Sequence, residues 1–264
     1  MEQPSSPTWR GTGLTHIGLV RSANQDAFAV LNPCCFWIVA DGMGGRAGGE
    51  VASRLAIETI APFGDSLASH PAQSDPSALL REAIQTANRA IRGEAVAQPG
   101  LAGMGTTVVA LHIAPAPSSD QASGPPAQAT IAHLGDSRAY LLRDRSLTRL
   151  TKDHSWVEEQ IRQGLLSPEE ARTHPSRHLL AKALGTQADA EPDIATHFLQ
   201  PGDRLLLCTD GLTKMLDDGR VADELLLAGP LPQAVCQALI ERANQRGGED
   251  NTTVVVIDCA YKPA

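Results

Sequence analysis

The apolar segments of this 264-residue chain form runs of short strand-like stretches, separated by pairs of helical segments. Residues 13–21, 26–32 and 34–40 are short, apolar and bounded by turn residues, which is typical of β-strands. A helical pattern then covers about Glu50 to Ile60, and a second helix is predicted after Ser74-Asp75-Pro76, where a capping carboxyl group precedes a first-turn proline. This order restricts the layer architectures that the chain can adopt.

The remaining segments repeat the arrangement. Further strands are predicted at residues 106–114, 129–136, 137–144, 195–199, 203–210 and 252–259. A broken helical pattern covers 152–187, including a helical stretch at 178–185, and another helix is predicted at 231–247. The Pro/Ser/Ala/Gly-rich segment at about 114–129 is predicted to be a flexible loop between two strands. Because strict strand–helix alternation is missing, we expect an α+β protein with two antiparallel sheets packed together and covered by helices.

The composition excludes several classes of partner. The net charge is −8 and no basic run occurs, which argues against a nucleic-acid partner. No window approaches the roughly 18 apolar residues of a membrane span, and no signal peptide is recognisable at the N-terminus. The five cysteines include no C-x-x-C pair, as expected for a reduced chain. We therefore expect a cytoplasmic protein with no membrane association.

Aspartates recur at the ends of the predicted core strands. Asp41 and Asp210 each end an apolar strand and precede a glycine, Asp136 leads into a turn, and Asp250 stands before the last strand. A lone aspartate at such a place is usually a turn former, so the four form a site only if the strand ends meet. Like charges within about 4 Å repel by several kcal/mol at intermediate dielectric, so such a cluster needs compensating cations.

Hard divalent metal ions would meet that need. Oxygen ligands suit Mg²⁺ or Mn²⁺, and no His/Cys cluster indicates zinc; His154, His174 and His178 are not expected to be ligands. Two metals in an oxygen-rich site are a means of hydrolysing phosphoesters. Arg21, at the end of the first predicted strand, is a candidate for binding phosphate, with a solvated arginine as the alternative. A glycine at position 42 would let its carbonyl oxygen reach a metal.

The glycine-rich stretch at 42–49 suggests an alternative, the phosphate-binding loop of a nucleotide-binding domain. No G-K-[ST] follows it, and its glycines fit G-x-G-x-x-G poorly. The aspartate interpretation is therefore preferred.

Six motifs occur in order along the chain: RSANQDAF, VADGMGG, GTT, HLGDSRAYLLR, LLLCTDGLT and EDNTTVVVI. Together they resemble the metal-dependent serine/threonine protein phosphatases of the PPM (type 2C) family, in particular its bacterial branch, over about residues 12–258. The resemblance implies a four-layer α-β-β-α sandwich, with helix pairs flanking the two sheets and a binuclear Mg²⁺ or Mn²⁺ centre at one edge. It also implies a single catalytic domain over 1–264, with a small flap at about 154–185.

The resemblance also implies a set of metal ligands. Asp41 would bridge both metals, and Gly42 would ligate one of them through its carbonyl. Asp210 and Asp250 would complete the shell of the other metal. Asp136, together with Asp210, resembles the weaker third metal site of bacterial members.

Five further positions follow from the same motifs. Arg21 would bind the substrate phosphate, and Asp26 stands at the acidic position that hydrogen-bonds metal-bound water. Asn251 completes the last motif. Gln25 stands where the family often has glutamate, and we expect its side chain to hydrogen-bond the metal-bound water as well. Met43 replaces a histidine that is the proposed general acid of eukaryotic members, which leaves the proton donor open.

The implied reaction is hydrolysis of phosphoserine or phosphothreonine on proteins by a water that the two metals deprotonate. Phosphorylated proteins are the expected partners, together with a cognate serine/threonine kinase that the enzyme opposes, and the chain is expected to be a monomer. One rival is an inactive member that acts as a binding module, against which the complete aspartate set argues. Another is a phosphatase of small phosphomonoesters, which no motif excludes.

For the flap, two interpretations remain open. Its residues could contact substrate, or they could simply pack as helices with Leu165, Leu166, Leu179 and Leu180 in a core.

Overall fold

The computed structural model describes residues 8–69, 75–115 and 127–260. Within them the strands are β1 (Thr8–His16), β2 (Asp26–Leu31), β3 (Phe36–Met43), β4 (Gly105–Thr106), β5 (Val108–Pro115), β6 (Ala127–Leu134), β7 (Arg138–Arg143), β8 (Ser146–Arg149), β9 (Asp193–Leu199), β10 (Arg204–Cys208) and β11 (Thr252–Ala260). The helices are α1 (Gly45–Ile60), α2 (Phe63–Ser69), α3 (Pro76–Ala97), α4 (Trp156–Arg162), α5 (Pro168–Thr173), α6 (Asp210–Met215), α7 (Asp218–Leu227) and α8 (Pro232–Gln245).

The strands form two sheets, and every neighbouring pair in them is antiparallel. The first sheet has the order β1-β11-β10-β7-β8. The second has the order β2-β3-β5-β6-β9, and β4 pairs with β3. The predicted pair of antiparallel sheets is confirmed.

Three hydrophobic cores separate four layers. Trp37 and Val255 belong to the core between the two sheets. Ile84 of α3 packs with α1 against the outer face of the second sheet. Leu206 and Leu239 belong to the core that joins the first sheet to α6, α7 and α8. The expected α-β-β-α sandwich is therefore confirmed.

The apolar run of β3 is continuous because both faces of its sheet are buried. Successive side chains of a strand point to opposite faces. Trp37 and Val39 accordingly lie in the core between the sheets, and Phe36 and Ile38 lie in the core with α1 and α3. Asp41 follows on the face of Trp37 and Val39, so the strand delivers its carboxylate to the edge of the seam between the two sheets.

The first strand differs from its prediction. β1 covers Thr8–His16 rather than 13–21, because the chain turns away at Gly18, whose φ is +84°. A Cβ at this position would lie 2.4 Å from the carbonyl oxygen of Asp250, so glycine is required on two grounds. As a consequence, Arg21 lies in the loop before β2 and not at a strand end.

The helical prediction for 178–185 is also wrong. Leu184 exchanges two backbone hydrogen bonds with Thr106, at 2.9 and 3.1 Å, and Leu180 forms a bridge with Ser155. These long-range pairs use the backbone groups that a helix would need, so the apolar spacing alone was misleading. The rest of the broken pattern does contain α4 and α5, but α2, α6 and α7 had not been predicted.

The predicted loop at 114–129 begins and ends within strands. β5 continues to Pro115 and β6 starts at Ala127. The remaining residues, 116–126, lie outside the described part of the chain. None of the described helices is long and apolar enough to cross a membrane.

Candidate active site

The ends of strands from both sheets meet at one edge of the sandwich, around a cavity of about 850 Å³. Eight of the nine predicted site residues line it: Arg21, Gln25, Asp41, Gly42, Asp136, Asp210, Asp250 and Asn251. Asp26, the ninth, pairs with Asp41 in the β2–β3 register. The structure thus brings together carboxylates that are up to about two hundred residues apart in sequence.

The backbone of Asp41 is fixed by the GTT motif. Thr107 donates its N–H to the carbonyl oxygen of Asp41 at 2.8 Å, and Thr106 donates its hydroxyl to the same oxygen at 2.8 Å. The N–H of Asp41 donates to Oγ1 of Thr107 at 3.0 Å. Oγ1 of Thr107 also lies 2.7 Å from Oγ of Ser137, so the same threonine connects Asp41 to the turn that carries Asp136.

Asp26 connects the two sheets. Its Oδ2 accepts hydrogen bonds from the hydroxyls of Thr209 at 2.9 Å and Thr253 at 2.7 Å, which follow β10 and lie in β11 of the opposite sheet. Its Oδ1 is buried without a hydrogen-bond partner among the described residues. Burial raises the pKa of Asp26 to about 7, and the negative charges of Asp210 and Asp250 raise it further. The two threonine hydrogen bonds lower the pKa but do not offset the burial.

The other carboxylates perturb one another in the same direction. Burial raises the pKa of Asp41 well above its ordinary value, and the charges of Asp26, Asp210 and Asp136 add to this. Burial, with the charge of Asp210, raises the pKa of Asp136 to about 8. The site therefore resists holding all its negative charge without a cation.

The donor set fits Mg²⁺ or Mn²⁺. Its side chains around Asp41 offer carboxylate and amide oxygens, which are the ligands that these ions prefer. Oδ1 of Asp210 is buried and has no hydrogen-bond partner among the described residues. An unpartnered buried carboxylate oxygen is costly unless a cation or water satisfies it.

Two cationic side chains already contact the acidic cluster. Nζ of Lys214 lies 2.6 Å from Oδ2 of Asp210 and 2.8 Å from Oδ2 of Asp250. Arg21 contacts Asp250 as well, through Nε at 2.9 Å and Nη2 at 3.0 Å. Partial burial would raise the pKa of Asp250, but Lys214 and Arg21 outweigh it and hold the pKa below its ordinary value.

Lys214 is not among the site residues predicted from the sequence. It stands four residues after Asp210, a spacing that places two side chains on one face of a helix. The signal was present in TDGLTK, but it has meaning only once a helix is known to begin at Asp210.

Gly42 is required by close packing. A Cβ on Gly42 would lie 2.0 Å from the carbonyl oxygen of Gly49 and 2.7 Å from that of Gln25. Any larger residue would therefore displace the first turns of α1 from β3. The use of the Gly42 carbonyl as a metal ligand stays a prediction.

Asn251 holds the loop that carries Arg21. Its Oδ1 accepts from the N–H of Gln25 at 2.8 Å, and its Nδ2 donates to the carbonyl oxygens of Ile17 at 2.8 Å and Ala23 at 2.9 Å. One buried amide thus fixes the loop from both of its ends. This contact places Arg21 beside Asp250, the residue before Asn251.

A second group of potential ligand atoms lies away from the aspartates. The side chains of His133, His154 and Asp193 bring ligand atoms within 4.8 Å of one another. Gly135 donates its N–H to Nδ1 of His154 at 3.2 Å, which places the proton of the neutral ring on Nε2, 3.3 Å from Oδ2 of Asp193. A ring nitrogen that carries a proton is not a metal ligand, so in this arrangement the group is a polar contact between the start of the flap and β6.

Comparison with known proteins supports the resemblance found in the sequence. The family model described as "Protein phosphatase 2C" matches residues 12–229. This chain belongs to the protein phosphatase 2C family. Its relatives in that family include serine/threonine protein phosphatase PstP of Mycobacterium tuberculosis, which is 39% identical over 241 residues, covering 91% of this chain and 43% of PstP. Serine/threonine phosphatase stp of Listeria monocytogenes is 38% identical over 247 residues, covering 92% of this chain and 93% of that protein.

Solved structures of the 2C family give the same result. The crystal structure of M. tuberculosis PstP has a TM-score of 0.82 at 37% identity, over 95% of this chain and 98% of that one. The catalytic domain of PstP in complex with two manganese ions has a TM-score of 0.80 at 35% identity, over 96% and 99%. The chain spans less than half the length of PstP but nearly all of the Listeria protein.

Proposed function

We propose that this 2C-family chain is a single catalytic domain that hydrolyses phosphoserine and phosphothreonine on proteins with two Mn²⁺ or Mg²⁺ ions. The observation that carries the proposal is the convergence of Asp41, Asp136, Asp210 and Asp250 on one cavity that Arg21 also lines. A third divalent ion at Asp136 and Asp210 belongs to the proposal.

We assign the metal ligands as the resemblance implied: Asp41, the carbonyl of Gly42, Asp210 and Asp250, with Asp136 for the third ion. The raised pKa values of Asp41 and Asp136 support this assignment, because a divalent cation would stabilise the ionised carboxylates against the burial and the mutual repulsion that raise those values. When bound, such a metal pair supplies a nucleophilic water at neutral pH and neutralises phosphoryl charge. Asp26 and Gln25 would accept or donate hydrogen bonds to that water.

Arg21 is assigned to the phosphate of the substrate. The Asp250 carboxylate fixes Nε and Nη2 of the guanidinium, and Nη1 takes no part in that contact. The side chain is 51% exposed and lines the cavity, so it is both oriented and accessible. A guanidinium held in this way binds phosphoryl oxygens without further ordering.

Position 43 supplies no proton for the leaving group. Met43 lines the cavity next to Gly42 and has no titratable atom. Protonation of the departing serine or threonine oxygen therefore falls to another group or to water.

The flap at about 154–185 is assigned to the substrate-facing side of the cavity. His178, Leu179 and Leu180 line the cavity. The alternative of simple helix packing is not supported, because Leu165 is 65% exposed and Leu179 is 57% exposed. The exposed side chain of Leu179 beside the cavity suits the residues that flank a phosphorylated side chain in a protein.

As partners we propose phosphorylated proteins and a serine/threonine kinase that the enzyme opposes, and we propose that the chain acts as a monomer. The family membership and the relatives named as serine/threonine phosphatases support the first part.

The deciding experiment measures phosphate release from a phosphothreonine peptide. Release should require Mn²⁺ or Mg²⁺, vanish in EDTA and return with Mn²⁺ but not with Zn²⁺. The ratio of kcat/KM for the peptide to kcat/KM for free phosphomonoesters tests the small-molecule alternative. Absence of metal-dependent release from any phosphopeptide would refute the proposal.

A further inference from the structure

Lys214 occupies an unusual place for a lysine, between two carboxylates that the proposed function assigns to one metal. Its ammonium group contacts Oδ2 of Asp210 at 2.6 Å and Oδ2 of Asp250 at 2.8 Å. The side chain is only 26% exposed, and it lines the same cavity. The contact is therefore part of the site and not a surface ion pair.

The chain builds this contact from two directions. α6 begins at Asp210, so Lys214 stands one helical turn further on the same face. Asp250 comes from the turn before β11 and is held by Arg21 and by the N–H of Asn251, which donates to its Oδ1 at 2.9 Å. If Lys214 moves out of the site, Asp250 cannot move with it without losing its contacts with Arg21 and Asn251.

A divalent ion at Asp210 and Asp250 would meet Lys214 directly. Mg²⁺ binds carboxylate oxygens at about 2.1 Å, so a divalent ion of this size on either contacted oxygen would lie within roughly 5 Å of Nζ. Two positive charges at that separation repel strongly in a partly buried site. The ammonium group and the metal ion therefore cannot both bind the same two carboxylate oxygens without weakening each other's binding.

From this geometry we propose that Lys214 is a tethered cation that competes with a divalent ion for Asp210 and Asp250, and so weakens the affinity of this site for its metal. The inference rests on the proposed function. Lys214 neutralises the two carboxylates of the metal-free protein, and metal binding requires the side chain to leave them. The enzyme would then become loaded only where the free divalent ion is abundant.

The first test is the Mn²⁺ binding isotherm, followed at one fixed pH by calorimetry or by the electron paramagnetic resonance signal of free Mn²⁺. Lys214→Met should bind one Mn²⁺ ion, the one proposed at Asp210 and Asp250, at least tenfold more tightly than wild type does, and Lys214→Arg should stay near wild type. Lys182→Met is the matched control, because Lys182 lies 3.8 Å from Asp193, outside the aspartate cavity. It should not change the affinity.

The second test needs no variant. The chain has four lysines, at 152, 182, 214 and 262, so acylation of each amine can be followed by mass spectrometry of its peptides. Mn²⁺ should increase the labelling of Lys214 severalfold as the amine leaves its carboxylates, with Lys152 and Lys182 as internal references.

The outcomes separate the two proposals. Equal Mn²⁺ affinity of Lys214→Met and wild type, an equal gain in Lys182→Met, or unchanged labelling of Lys214 would each overturn the competition but leave the proposed function standing. If the wild-type protein bound no Mn²⁺ at all, both would fail.

Discussion

Arg21 and Asp250 form a two-point contact, with Nε 2.9 Å from Oδ1 and Nη2 3.0 Å from Oδ2. The planar fork of the guanidinium matches the two carboxylate oxygens, which a single ammonium cannot do. The residue proposed to bind phosphate is therefore oriented by a residue proposed to bind metal.

Arg21→Lys keeps the positive charge and loses the fork. We expect kcat/KM for a phosphopeptide to fall by roughly ten- to a hundredfold, mainly through a higher KM, because phosphate positioning is lost. Steady-state kinetics in saturating Mn²⁺ measure this. A lysine variant with wild-type KM would show that charge alone suffices at this position.

Asp210→Ala should remove nearly all phosphopeptide hydrolysis, by more than about a hundredfold, since the carboxylate organises the metal pair. The variant should still fold, which circular dichroism and a thermal melt can establish. Asp223→Ala, which alters an exposed aspartate of α7, is the matched control and should keep full activity. Near wild-type activity of Asp210→Ala in Mn²⁺ would refute the assignment of Asp210 as a metal ligand.

Met43→Ala should leave kcat/KM within about tenfold of wild type, because a thioether neither donates a proton nor ligates hard cations well. The measurement is phosphopeptide turnover in Mn²⁺. A loss above a hundredfold would mean that this side chain has a role in the reaction beyond filling space.

Gly42→Ala should destabilise the protein and reduce activity together, because its Cβ would lie 2.0 Å from the carbonyl oxygen of Gly49. A lowering of Tm by several degrees is expected from a strain of about 1–3 kcal/mol. Gly93→Ala is the control: a Cβ there meets nothing within 4 Å, and alanine favours the interior of α3 by about 0.5–1 kcal/mol. Equal melting temperatures of the two variants would contradict the packing argument.

The metal-free protein should lose stability between about pH 6.5 and 8. Burial raises the pKa of Asp26 to about 7 and of Asp136 to about 8, whereas an unfolded aspartate titrates near 3.9. The folded state therefore binds more protons than the unfolded state in this window, and its stability falls as the pH rises. Buried His112, whose pKa burial lowers to about 4, acts in the opposite direction, but only below about pH 6.5.

Thermal melts in EDTA at pH 6.5, 7.25 and 8 test this, with Mn²⁺ as the comparison. The ion stabilises the ionised carboxylates, so it should flatten the slope and protect most at pH 8. Asp136→Asn should also flatten the slope in EDTA. A melting temperature that rises with pH across this window would refute the pKa argument.

Strand-end aspartates could be predicted from the sequence because each borders an apolar run that is typical of a buried strand. Asp41 and Asp210 are examples, and both line the cavity. The partners that hold them were not predictable in the same way. Thr107 reaches Asp41 from 66 residues away, and Thr253 reaches Asp26 from 227 residues away. Such contacts depend on sheet order, which local patterns do not specify.

Short helices were the main omission. α6 has six residues and is separated from β10 only by Thr209, so it is too short for an apolar period to be measured. Because α6 was missed, the pairing of Lys214 with Asp210 was missed as well. In 178–185 the error was of the opposite kind, since a helical spacing was present but backbone pairing with Thr106 and Ser155 prevailed.

The hydrogen bonds of Asp26 join the two sheets at the edge that carries the site. Asp26 and Asp41 belong to one sheet, whereas Thr209, Thr253 and the carboxylates after β10 and before β11 belong to the other. Ions that bind both sets of carboxylates would clamp the two sheets together at this edge, and stripping them would leave mutual repulsion across the seam. The availability of metal would then also determine how firmly the two sheets are held together. Loss of the ions would weaken the packing of the sandwich at the edge that carries the proposed active site.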